Sequence, residues 1–118
     1  MKALPQGGRA VRALFFAATL FAFVMAVLPH PPGLPLQPSD KIQHVTAFAV
    51  LGALGARAFP ATAIWALAVR LSLFGALIEL TQAIPALHRD SDALDWLADT
   101  IACGVVLLGV AWLRRRPE

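Results

Sequence analysis

Four apolar runs make up most of the chain, and helix-breaking segments separate them. The first covers about residues 11–28 and stops at Pro29-His30-Pro31-Pro32-Gly33, a cluster that cannot continue a helix. The second opens at Ser39-Asp40, a good helix cap, and covers about 40–59 before Pro60. The third occupies about 61–83 ahead of Pro85, and the fourth about 91–113, closing on Arg114, Arg115 and Arg116. Each run is near the roughly 20 residues needed to cross a bilayer core. The pattern predicts an all-α integral membrane bundle of four transmembrane helices, forming one domain over 1–118.

Composition points the same way. Of 118 residues, 58% are hydrophobic and 14% charged, whereas a soluble domain carries about 25% charged residues to cover its surface. The net charge of +3 does not mark a nucleic-acid binder, because no basic stripe runs along an element. Basic residues instead flank the apolar runs. With four spans, Lys2, Arg9, Arg12, Arg57, Arg114, Arg115 and Arg116 share one side, and Lys41 and Arg89 the other. The positive-inside rule then predicts a bacterial inner-membrane protein with both termini cytoplasmic. The alternative for the first run, a cleaved signal peptide, would leave three spans, but no A-x-A-like site precedes the proline cluster. Cys103 is the only cysteine, so it forms no intrachain disulfide and reads as a packing residue.

The acidic residues change the picture. Six of the seven, Asp40, Glu79, Asp90, Asp92, Asp95 and Asp99, lie near the two connections on the outer side, together with Lys41, His44, Gln82, His88 and Arg89. Helical spacing aligns them in stripes: Lys41, His44 and Phe48, with Gly52 and Gly55 deeper; Ser72, Gly75, Glu79 and Gln82; and Asp92, Asp95 and Asp99, continuing through Ala102. Each stripe passes from polar groups to small residues, which let membrane helices approach closely. Arg70, nine residues before Glu79, falls off that stripe, and its stem can snorkel to the cytoplasmic surface. Trp65, Trp96 and Trp112 fall near the expected membrane boundaries.

Asp40-Lys41-x-x-His44, Gly75-x-x-x-Glu79-x-x-Gln82, and Arg89 followed by Asp92, Asp95 and Asp99 together resemble the VanZ-like membrane protein family. The resemblance runs from about Asp40 to Gly109, with the motif elements in order on three helices. Asp99 stands where the family usually has asparagine, and Ala102 where it has glycine. The resemblance implies four membrane helices and an association with tolerance to teicoplanin-type glycopeptide antibiotics. It implies no mechanism.

The residues themselves point to an outward polar site of Asp40, Lys41, His44, Glu79, Gln82, Arg89, Asp92, Asp95 and Asp99. An ionisable group inside a membrane helix is functional by default, although a Glu79 pair with Arg89 or Lys41 would also pin helix ends. Lys41 and Arg89 suit an anionic group on a lipid headgroup, peptide terminus or cell-envelope precursor, with the other residues orienting it. Membrane lipids are the expected surroundings and no cofactor is expected. His44 with the carboxylates is a ligand set for a divalent cation, but no tight motif such as H-E-x-x-H occurs, so no metal is expected either. Catalysis is not the leading expectation. A membrane enzyme acting on a lipid-linked substrate would use His44 or Glu79 as acid/base, and a small proton- or ion-coupled transporter would need a polar path that the apolar inner halves do not offer.

Overall fold

A computed structural model of the chain describes residues 6–28, 40–87 and 92–115, and the side chains of Gln6, Gly7, Asp40 and Leu87 lie outside that description. Lys2, the 29–33 proline cluster, Ser39, His88, Arg89, Asp90 and Arg116 are likewise outside the described residues.

The four expected helices are present: α1 at Gln6–Val27, α2 at Asp40–Ala58, α3 at Ile64–Gln82 and α4 at Ala93–Arg115, with a short 3-10 turn at Pro85–Leu87. No strand occurs among the described residues. The ends follow the local chemistry. Leu28 makes the last backbone bond of α1, to Val24, directly before Pro29. The Phe59 N–H still reaches Gly55, after which Pro60 has no N–H to give. Thr62 then bonds back to Phe59, so 61–63 form a turn and α3 starts three residues later than the apolar run suggested. α3 stops because Pro85 disfavours helical backbone at Ile84.

Three helices are long and apolar enough to cross a membrane: Gly8–Val27, Ile64–Gln82 and Ala93–Arg115. α2 matches α3 in length, but Lys41, Gln43, His44 and Thr46 occupy its first two turns and make it the most polar of the four. α2 also lies deepest. It packs on α1, α3 and α4, while α1 and α4 each bind the α2/α3 pair. Its buried residues include Phe48, Leu51, Gly52, Gly55, Ala56 and Ala58. A helix surrounded by other helices faces little lipid, so it tolerates a polar start that an isolated span would not.

Direction is fixed by side-chain contacts. Phe15 meets Gly55 and Arg12 reaches Ala58, so α1 and α2 are antiparallel. Ser72 bonds Thr100 while Glu79 reaches Asp92, so α3 and α4 are antiparallel as well. Lys41 faces Asp95, His44 faces Asp99, Gly52 faces Cys103 and Arg114 reaches Ala56, so α2 and α4 run parallel. The result is an up-down-up-down bundle with two distinct ends.

Three glycines set the helix spacing, and a Cβ on Gly55 would sit 3.2 Å from the Phe15 ring. A Cβ on Gly52 would sit 3.4 Å from the Cys103 carbonyl oxygen, and one on Gly75 would sit 3.3 Å from both Phe48 and Trp96. Cys103, not Ala102, is the residue that carries the α4 stripe inward, and it is fully buried. The lipid-type face is the opposite of a soluble surface: Phe16, Leu20, Phe21, Leu73, Leu77, Leu80, Ile101, Val105 and Leu108 are all exposed.

Gly75→Val and Gly52→Leu should each destabilise the bundle by about 1–3 kcal/mol through overpacking. Gly104→Ala, where nothing lies within 4 Å, should leave stability unchanged or raise it slightly. Thermal unfolding in detergent separates the two classes, and equal shifts at all three positions would contradict the packing described.

Candidate functional site

The C-terminal ends of α1 and α3 and the N-terminal ends of α2 and α4 meet at one end of the bundle. That end carries His44, Glu79, Gln82, Asp95 and Asp99, all buried. Buried polar side chains therefore gather at this end while many large apolar ones are exposed on the sides of the bundle, as expected where lipid is the solvent.

Each helix delivers its groups by register. One turn into α2, His44 points at α4, where its Nδ1 lies 3.8 Å from Asp99 Oδ2; Asp99 is 1% exposed. One turn earlier on both helices, Lys41 Nζ lies 3.6 Å from Asp95 Oδ1. That pair forms a rim, since the Lys41 side chain is 53% exposed and the Asp95 side chain 12%. From α3, Glu79 Oε2 accepts the backbone N–H of Asp92 at 2.9 Å. His44, Glu79 and Asp99 each place one ligand-type atom within 4.8 Å of the other two. By helical rise they lie about 5–9 Å inside the helix ends.

Two residues read as stripe members behave differently. Asp92 precedes the first helical residue and is exposed; its Oδ1 accepts the Leu94 N–H at 2.9 Å. It is the N-cap of α4, and its own N–H is held by Glu79. Gln82 turns away toward α1, donating from Nε2 to the Ala26 carbonyl at 2.9 Å. Its Oε1 is buried without a hydrogen-bond partner among the described residues. Of the remaining expected site residues, Asp40 begins α2 but its side chain is outside the description, and Arg89 is wholly outside it.

Other groups support the site from below. Trp96 is half-buried rather than lipid-facing; its indole N–H donates to the Ser72 carbonyl at 3.0 Å and its ring closes on Gly75. Ser72 and Thr100 share a hydroxyl bond of 2.9 Å across the same seam. Phe48 lies beneath His44, 1% exposed and stacked near Phe74 at 5.9 Å. Apolar side chains thus floor the polar cluster. Trp65 and Trp112 are exposed at the opposite end, and Arg70 is exposed on α3 away from Glu79's neighbours.

The opposite end holds features that spacing alone did not reveal. Arg12 Nε donates to the Ala58 carbonyl at 2.9 Å and lies 4.6 Å from the Phe59 ring centre, while Arg114 donates to the Ala56 carbonyl at 2.8 Å. Two helices therefore cap the C-terminus of a third, supplying cations where its dipole is negative. The sequence signal was present only as arginines bordering apolar runs.

His44→Leu should cost about 3 kcal/mol of bundle stability, because it leaves a buried Asp99 facing an apolar group. Lys41→Ala should cost less than about 1 kcal/mol, as its pair is solvent-screened. Steric-trapping or SDS unfolding curves measure both, and an equal loss would mean that burial does not grade the two pairs.

No protein-family model matches the chain, and no curated protein and no solved structure matches it, so its function is argued from these residues alone.

Proposed function

We propose that the chain is a multi-pass inner-membrane protein of VanZ-like type, whose polar end faces outward and binds an anionic component of the cell envelope. The observation that carries this reading is the convergence of buried His44, Glu79, Asp95 and Asp99 at one end of a bundle whose sides are apolar. Charged groups inside a membrane protein are costly, and binding or transfer is their usual reason. The sequence motifs on α2, α3 and α4 that resemble the VanZ-like family fall on this same end.

Charge supports the orientation. Among the described residues, Arg9, Arg12, Arg57, Arg114 and Arg115 lie at or near the end opposite the site, and Lys41 is the only Lys or Arg at the site end. The arginine-rich end is then cytoplasmic. In this arrangement Lys41, exposed on the rim, meets the anionic group first, and Arg89 is the second cation that the sequence motif offers. The carboxylates and His44 accept or orient polar hydrogens beneath. A headgroup, a peptide terminus and a cell-wall precursor all fit that donor set. The link to glycopeptide tolerance follows from the resemblance only.

Cysteine introduced at Lys41 should react with a membrane-impermeant maleimide added to intact spheroplasts, whereas cysteine at Arg115 should react only after permeabilisation. The reverse pattern would invert the orientation. For function, Lys41→Ala combined with Arg89→Ala should abolish any change in envelope-antibiotic susceptibility that expression of the wild-type protein confers, with membrane protein level unchanged on immunoblot. A double variant indistinguishable from wild type in susceptibility would overturn the binding role.

A further inference from the structure

We propose that His44, Glu79 and Asp99 form a binding site for one divalent transition-metal ion, held between α2, α3 and α4. The three ligand-type atoms lie within 4.8 Å of one another. The residues are 9%, 7% and 1% exposed, so the cluster is enclosed by protein. Each comes from a different helix, at positions 35 and 20 residues apart in the chain (79 − 44 and 99 − 79). Their meeting is therefore a product of the bundle's register and not of a local turn.

The donor set selects the class of ion. One imidazole nitrogen with two carboxylate oxygens suits zinc, manganese or ferrous iron, whereas magnesium and calcium favour all-oxygen shells. Ligands about 2.0–2.2 Å from such an ion stand about 3–3.5 Å from each other. The His44 Nδ1 to Asp99 Oδ2 separation of 3.8 Å is already near that value, and Glu79, within 4.8 Å of both, needs to approach by at most about 1–2 Å. A divalent cation would also supply positive charge beside two carboxyl groups in a medium of low dielectric, where such charge is otherwise costly to leave unmatched. Three protein ligands leave a coordination position open, the arrangement found where a metal also binds water or a ligand.

Glu79 is suited to a divided role. Its Oε2 takes the Asp92 N–H, which fixes the carboxylate against α4, and Oε1 is buried beside it. The backbone contact orients the carboxylate beside His44 and Asp99, as the outer contacts of metal-ligating carboxylates commonly do. Phe48 and Trp96 close the cluster from below, so an ion arrives from the outer end. The inference does not depend on which envelope component binds, nor on whether one does.

The test uses the full-length protein purified in detergent, stripped with a chelator and then equilibrated with Zn²⁺ or Mn²⁺ alone. Elemental analysis should find about one ion per chain, with melting temperature rising as metal concentration rises. Asp99→Asn and Glu79→Gln keep side-chain volume, and each should lower metal affinity by about 100-fold while the stripped variants melt near stripped wild type. Arg70→Ala, exposed on α3 away from the cluster, should bind as wild type does. Should either isosteric variant fail to fold, His44→Gln replaces it in the same assay. Wild-type protein that retains no ion above the detergent blank, or an Asp99→Asn variant that binds as tightly as wild type, would overturn the site. These readouts are independent of the susceptibility assay, so either reading can fail without the other.

Discussion

The pairing of α2 with α4 is the constraint on which the rest of the bundle depends. The two helices run parallel, and a contact of different chemistry holds each third of their length. Lys41 with Asp95 and His44 with Asp99 hold the site end, Gly52 against the Cys103 backbone holds the middle, and Arg114 on the Ala56 carbonyl holds the far end. Parallel helices place like dipole ends side by side, which is unfavourable unless charges compensate. Both ends are compensated here. Asp92 caps α4 and Asp95 and Asp99 lie in its first two turns, at the positive ends, and Arg12, Arg57 and Arg114 surround the carbonyl end of α2.

That pairing explains how the most polar helix comes to lie deepest. α2 alone is not apolar enough to count as a span, and its first two turns hold four polar side chains. Packed on three neighbours, it presents those groups to carboxylates and hydroxyls and leaves lipid contact largely to α1, α3 and α4. Membrane helices lack a hydrophobic drive toward one another, so close packing at small residues and polar contacts must supply the association. Gly52, Gly55 and Gly75 supply the first, and the site residues supply much of the second. Site and scaffold are thus partly the same set of side chains.

Much of this was legible in the sequence, for a physical reason. Apolar runs bounded by proline fix helix number and order, and three- and four-residue spacing fixes which residues share a face. His44, Glu79 and Asp99 were accordingly visible as members of one polar end. What spacing cannot give is the rotation of one helix against another. Gln82 shares the Glu79 stripe yet bonds Ala26, because its side chain lies where α1 ends and no pattern within α3 encodes that neighbour. Gly55 shares the His44 stripe yet meets Phe15 of α1, while Gly52 meets α4. Asp92 fell on an extrapolated stripe, but the helix begins one residue later, and an aspartate at that boundary caps. Arg12 and Arg114 read only as basic residues flanking apolar runs, because α2's exposed carbonyls are a property of the backbone and leave no mark in the sequence.

The placement of Glu79 joins stability to chemistry at a single residue. Its carboxylate reaches across from α3 to hold the N–H that precedes α4, a contact that sets where α4 begins and therefore where Asp95 and Asp99 stand. Movement of Glu79 would carry the start of α4 with it, and with α4 the partners of Lys41 and His44. Glu79 also belongs to the buried group with His44 and Asp99, so one side chain serves both the start of α4 and the polar cluster. Phe48, Phe74 and Trp96 pack beneath it around Gly75, so the polar cluster is confined to this end of the bundle.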